Sequence, residues 1–169
     1  AIGLTQLDRV EEHVKRREQL ATRLSDGTRD LPGWKVPTVR DGCRHNYYCW
    51  TVRFDSLTVG ISRETFSMAL EAEGFPHSQA YVRPLYLLPM FQERVAFGID
   101  GYPFSLSNRT YPKGTCPVAE RLYEREILFF EPCAYLSSEP ETDQLINAIR
   151  KVHRHAGELA SLENQGQHN

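Results

Sequence analysis

Apolar residues recur at helical spacing from Leu4 to Leu24, with Leu7, Val10, Val14 and Ala21 on one stripe and Leu20 and Leu24 beside it. Asp8, Glu11, Glu12, Arg16, Arg17 and Glu18 fill the other side, so the pattern predicts one long amphipathic helix. Gly27 offers its stop, and Leu31-Pro32-Gly33-Trp34 then reads as a turn. From Tyr47 to Phe54 the period changes to two. Tyr48, Trp50, Val52 and Phe54 share one face, and Tyr47, Cys49, Thr51 and Arg53 share the other, which predicts a strand.

Ser62 is a good N-cap, with Glu64 in the first turn, where the helix dipole favours an anion. That helix carries Phe66, Met68, Ala69 and Leu70 and stops at Gly74. A second extended segment is expected to about Arg83. From Pro84 to Pro117 the chain is rich in Pro, Gly and aromatics and has no period, as expected of a functional or interface segment. Pro117 opens a helix through Val118, Ala119 and Leu122, which leads to an apolar strand from Ile127 to Phe130. A last helix starts near Ser138-Glu139-Pro140 and carries Leu145, Ile146, Ile149 and Val152 at helical spacing. The predicted fold class is α+β: a small antiparallel sheet with helices on one face, preceded by a long helix. The division expected is a connecting helix over 1–26, a small domain over 27–156 and a frayed tail over 157–169.

With 40% apolar and 25% charged residues, the composition is that of an ordinary globular chain. The net charge is −2 and basic residues alternate with acidic ones, so no nucleic-acid partner is expected. No apolar run approaches the roughly 20 residues needed to span a bilayer, so no membrane partner is expected either. Cys43, Cys49, Cys116 and Cys133 show no metal-ligand spacing and read as reduced thiols, which points to the cytoplasm. The chain opens on Ala1-Ile2-Gly3 without an initiator Met, which suggests a cut inside a longer gene product.

Chemistry is sparse. No nucleophile stands near a His with a third orienting group, and no Gly-rich phosphate loop is present. The most informative stretch is ALEAEGFPHSQAYVRPLYLLPMF, in which an extended run carries Tyr81 and Arg83 and the chain then passes, with Tyr86, between Pro84 and Pro89, forming a stiff lip. It resembles the pattern "ALxAEGxP…Y…PLYxxPxF" of the small C-terminal domain of the DegT/DnrJ/EryC1/StrS aminotransferases. RHNYYCWTVRFD with VGISRETF, and YPKGTCPVAERLYEREILFF, resemble two further motifs of that family in the same order. AIGLTQL resembles the start of its connecting helix.

The resemblance implies the small domain of a fold-type I pyridoxal-phosphate enzyme, which transfers an amino group from glutamate or glutamine to a keto-sugar nucleotide or keto-cyclitol. It implies that Tyr81, Arg83 and Tyr86 face the keto substrate, and that the intact enzyme is a homodimer. The family holds pyridoxal phosphate on a lysine of a large N-terminal domain. Lys15, Lys35, Lys113 and Lys151 all lack the surroundings of such a lysine, so the chain alone is expected to be inactive and to lack a large-domain partner. A second reading stands beside this one: a non-catalytic domain that binds a partner subunit or a small polar ligand.

Overall fold

A computed structural model of the chain describes residues 2–131 and 138–166. Cys133, the first residue and the last three lie outside the described residues. Helix α1 (Ile2–Leu7) and helix α2 (Val10–Thr28) replace the single predicted helix, with a break at Asp8 and Arg9. Strand β1 (Trp34–Lys35), strand β2 (Trp50–Phe54) and strand β3 (Ile127–Phe130) form an antiparallel sheet in that order. Between β2 and β3 lie the one-turn helix α3 (Ser56–Val59), helix α4 (Arg63–Ala72), the short α5 (Pro89–Gln92) and α6 (Pro117–Arg121). Helices α7 (Glu139–Arg154) and α8 (Ala156–Gly166) end the fold.

The sheet register divides the strand residues between two faces. Trp50 lies opposite Phe130, Val52 opposite Leu128 and Trp34 opposite Phe54, and all six are buried. Leu20, Ala21 and Leu24 of α2, Phe66 and Leu70 of α4, and Leu145, Ile149 and Val152 of α7 close over this face. Each large side chain so buried contributes about 1.5–3 kcal/mol relative to its exposed state. Helices therefore cover one face of a small antiparallel sheet, as the sequence pattern predicts. Thr51, Arg53, Ile127 and Phe129 point to the opposite face.

Local signals explain most of the boundaries. Ser62 Oγ accepts the Thr65 amide at 3.0 Å and so caps α4, while Gly74 at φ 91° lets the chain leave it. Ser138 caps α7 in the same way.

Gly27 does not end α2. It lies inside the helix, where an added Cβ would sit 2.6 Å from Ile146 Cδ1, so α7 approaches α2 at this point. Leu7 and Val10 of the apolar stripe are exposed, because the core meets α2 only from Leu20 onward. The predicted turn at Leu31–Trp34 ends in β1, whose Trp34 enters the core.

Three further expectations are corrected. Tyr47 adopts φ 47°, which starts the strand only at Trp50 and reverses the alternation before it: Tyr47 is buried and Tyr48 exposed. The segment up to Arg83 is not a strand, and only Ser78 pairs with Phe129, exchanging two bonds of 2.9 and 2.7 Å. Residues 157–166, expected to belong to a frayed tail, lie in helix α8. Ala156 is buried, Leu159 and Ala160 pack on the core, and Glu163 accepts the Ser62 amide at 3.3 Å.

Gly27→Ala should lower stability by about 1–3 kcal/mol through overpacking against the stiff Ile146, outweighing the ~1 kcal/mol that alanine adds to a helix. Ile146→Ala in the same chain should remove most of that loss. A denaturant melt in which Gly27→Ala alone is as stable as the parent contradicts this packing.

Candidate functional site

The open face of the sheet carries a cleft of about 430 Å³. Thr51, Ile127 and Phe129 form its floor, Ala80–Val82 and Pro84 one wall, and Ala119, Leu122 and Tyr123 the other. Tyr48, Tyr81 and Tyr123 bring three phenols to it. The Tyr81 ring lies 5.0 Å from the Phe129 ring and is exposed on its outer side. Such walls bury one face of a ring while leaving hydroxyls to orient it.

The wall that holds Tyr123 is built by an unusual turn. Helix α6 opens at Pro117 and widens into a π-helical turn over Leu122–Glu126 before β3 begins. The carbonyls at the end of that turn lack helical partners. Arg63, the first residue of α4, satisfies them from a buried position. Its guanidinium donates to Tyr123 O and Glu124 O at 2.8 Å each and to Ile127 O at 3.3 Å, and its fourth contact is the Glu64 carboxylate at 2.8 Å.

Tyr86, on the turn before α5, points away from the cleft. Its hydroxyl donates to the carboxylate of Glu120 in α6 and accepts the Cys116 amide at 3.3 Å. Burial, reinforced by the bond to Glu120, pushes the phenol up to about 12. The Tyr86 hydroxyl and the amides of Gly114 and Cys116 hold the Glu120 carboxyl below the usual carboxylate range.

The three residues singled out from sequence are thus separated. Tyr81 is in the cleft. Arg83 stands beside it, exposed, with no hydrogen bond or ion pair among the described residues, while its neighbours Val82 and Pro84 line the wall. The Tyr86 hydroxyl is taken by Glu120. Sequence reasoning missed Tyr48, Tyr123, Glu120 and Arg63. The motifs ISRETF and CPVAER contained Arg63 and Glu120 but gave them no role.

One expected absence is also corrected. Ser67 Oγ lies 2.7 Å from His77 Nε2, and His77 Nδ1 lies 3.0 Å from Phe75 O, so a hydroxyl, an imidazole and a third group do meet. Because a carbonyl only accepts, Nδ1 carries the proton and Ser67 donates to Nε2. Ser67 is only 3% exposed and the His77 ring stacks on Phe130, so this pair joins α4 to the core and offers no opening to a substrate.

The cleft, its lip and the turn behind it lie within a stretch that matches the model of the DegT/DnrJ/EryC1/StrS aminotransferase family over residues 1–150. The chain belongs to that family. It is 27% identical over 152 residues to the spore coat polysaccharide biosynthesis protein SpsC of Bacillus subtilis strain 168, covering 90% of this chain and 35% of that protein. It is 35% identical over 125 residues to the L-glutamine:2-deoxy-scyllo-inosose aminotransferase of Streptoalloteichus tenebrarius, covering 67% of this chain and 27% of that protein. The crystal structure of a family aminotransferase from Brucella abortus superposes with a TM-score of 0.66 at 26% identity, over 89% of this chain and 34% of that one. The chain spans about a third of the length of the relatives it matches.

Arg63→Ala should destabilise the chain by about 3 kcal/mol, since it strips a charged donor from three carbonyls at once. The loss should also appear as a weaker near-ultraviolet signal from Tyr123. A variant that unfolds at the parental denaturant concentration contradicts the clamp.

Proposed function

We propose that this chain supplies the substrate-side small domain of a pyridoxal-phosphate-dependent aminotransferase. The complete enzyme moves an amino group from glutamate or glutamine to a ketone on a nucleotide-linked sugar or a cyclitol. The observation that carries this reading is Tyr81, exposed in a tyrosine-walled cleft with Arg83 exposed beside it between two lining residues, in a chain of this aminotransferase family. One relative bears the name of an aminotransferase acting on an inosose, which favours a cyclic polyhydroxy ketone.

The residues present do not fit the cofactor. Pyridoxal phosphate needs an enclosed lysine, an acid against its ring nitrogen and donors around its phosphate. Lys113 is paired with Glu124 at 2.5 Å and Lys151 with Glu73 at 2.8 Å. Lys15 and Lys35 are exposed on α2 and β1. In this reading a large domain outside these 169 residues holds the cofactor, covers the exposed Leu4, Leu7 and Val10, and forms with this one the subunit of a cytoplasmic homodimer. This chain binds and orients. Arg83 meets hydroxyl or phosphate oxygens of the keto substrate, Tyr81 presents a ring face and a hydroxyl, and Tyr86 shapes the lip from behind. The cleft walls exclude water from the substrate ring.

In the complete enzyme, Arg83→Ala should lower kcat/KM for the ketone roughly tenfold to a hundredfold, the range for losing a hydrogen bond to a charged group. The half-reaction with the amino donor should change less, because the donor occupies only the cofactor end of the site. Single-turnover kinetics of each half-reaction measure both. Equal losses in the two contradict the substrate-facing role.

A further inference from the structure

The lip that carries Tyr81 and Arg83 rests on the sheet through the Tyr81 ring against Phe129 but takes no part in its ladder past Ser78. Beyond Ser78 it pairs with no strand among the described residues, and its short turns at Leu85–Leu87 and Pro89–Gln92 bury no side chain fully. The Phe91 ring, 5.7 Å from Phe104 and 5.4 Å from Tyr111, packs it on the segment on its far side, and two sets of hydrogen bonds add to this contact. Gln92 Nε2 donates to Tyr86 O at 2.5 Å and to Tyr111 O at 2.7 Å. Glu120, only 6% exposed, receives the Tyr86 hydroxyl and the Gly114 amide, the latter at 2.6 Å.

A carboxylate so enclosed is costly unless several donors surround it. Here the donors come from two separate stretches of chain: Tyr86 from the lip, and Gly114 from the loop before α6, whose Cys116 amide donates in turn to the Tyr86 hydroxyl. One charged group therefore joins both stretches to α6, and the π-helical turn that follows α6 is fixed by Arg63. The charged and titratable groups facing this cluster are Lys113, already paired with Glu124, and the thiol of Cys116.

We propose that Glu120 is a positioning residue of the site, which sets the lip bearing Tyr81 and Arg83 by receiving the Tyr86 hydroxyl. Its functional meaning rests on the substrate-facing reading of the lip; the tether itself does not. Tyr86 then acts through its hydroxyl on the protein, and the substrate sees the consequence at Arg83.

The test compares the full chain with Tyr86→Phe, Glu120→Gln and the double variant, by native-state hydrogen exchange. Amides of the non-proline residues of 84–92 should exchange about tenfold faster in each single variant, the effect of one lost hydrogen bond of moderate strength. The double variant should add nothing further, since both changes cut the same link, and amides of β2 and α7 should keep their rates. In chain labelled with ¹³C at tyrosine Cζ, the Tyr86 resonance should titrate at lower pH in Glu120→Gln than in the parent. In the complete enzyme either single change should raise KM for the ketone several-fold with a smaller effect on kcat.

Should Glu120→Gln fail to fold, Tyr86→Phe alone decides the matter, because it leaves Glu120 with its Gly114 amide donor. Unchanged exchange at 84–92, or effects that sum in the double variant, overturns the proposal. The exchange measurement uses neither ketone nor cofactor. A failed half-reaction test with Arg83→Ala would therefore remove the substrate role and leave the tether, whereas unchanged exchange would do the reverse.

Discussion

The indole of Trp50 carries the contact between sheet and helices. It sits mid-sheet opposite Phe130, with ring centroids 5.4 Å apart, and within 6.3 Å of the Trp34 ring. Its Nε1 donates to Ser25 Oγ of α2 at 2.8 Å, and Ser25 passes a bond of the same length to Ala21 O. A buried N–H of this kind would cost about 1–3 kcal/mol if left unpaired, so the hydroxyl of Ser25 decides which turn of α2 lies over the sheet. With α2 set there, α7 follows through the close approach of Gly27 to Ile146, and α4 closes the layer with Phe66 against Trp34. A sheet of three short strands has room for one such layer. Its second face stays open, and the candidate site is on it.

That open face is finished by irregular chain, and irregular chain needs polar fasteners. Arg63 supplies carbonyl acceptors with donors at the end of the π-helical turn, and Glu120 gathers donors at the start of α6. Between these two opposite charges the wall with Ala119, Leu122 and Tyr123 is held at both ends. The lip opposite depends on the same carboxylate through Tyr86. The cleft thus owes its shape to two side chains that do not line it.

Periodic segments were legible in the sequence, because the inward positions of β2 and the stripe of α7 obey their periods strictly. The cap at Ser62, the helix start near Ser138 and the strand at Ile127 could be read for the same local reasons. Gly27 was misread because a glycine at a helix terminus and one at a helix crossing look alike until the partner, Ile146, is known. Tyr47 and Tyr48 exchanged faces through a positive φ that no alternation pattern encodes. At the site, family motifs marked the right segments, but which of their side chains meet the cleft depends on contacts 34 residues apart, as between Tyr86 and Glu120. The Ser67–His77 pair, ten residues apart across a helix end, was invisible for the same reason.

The central claim is that this chain shapes the substrate side of an aminotransferase site while the cofactor is held elsewhere. An absorbance titration of the isolated chain with pyridoxal phosphate near neutral pH tests it most directly. Surface lysines form weak adducts without a fixed stoichiometry, so the account predicts a shallow, unsaturating rise in the aldimine band that no single lysine substitution removes. One saturable equivalent, abolished by replacing Lys15, Lys35, Lys113 or Lys151 alone, would contradict it.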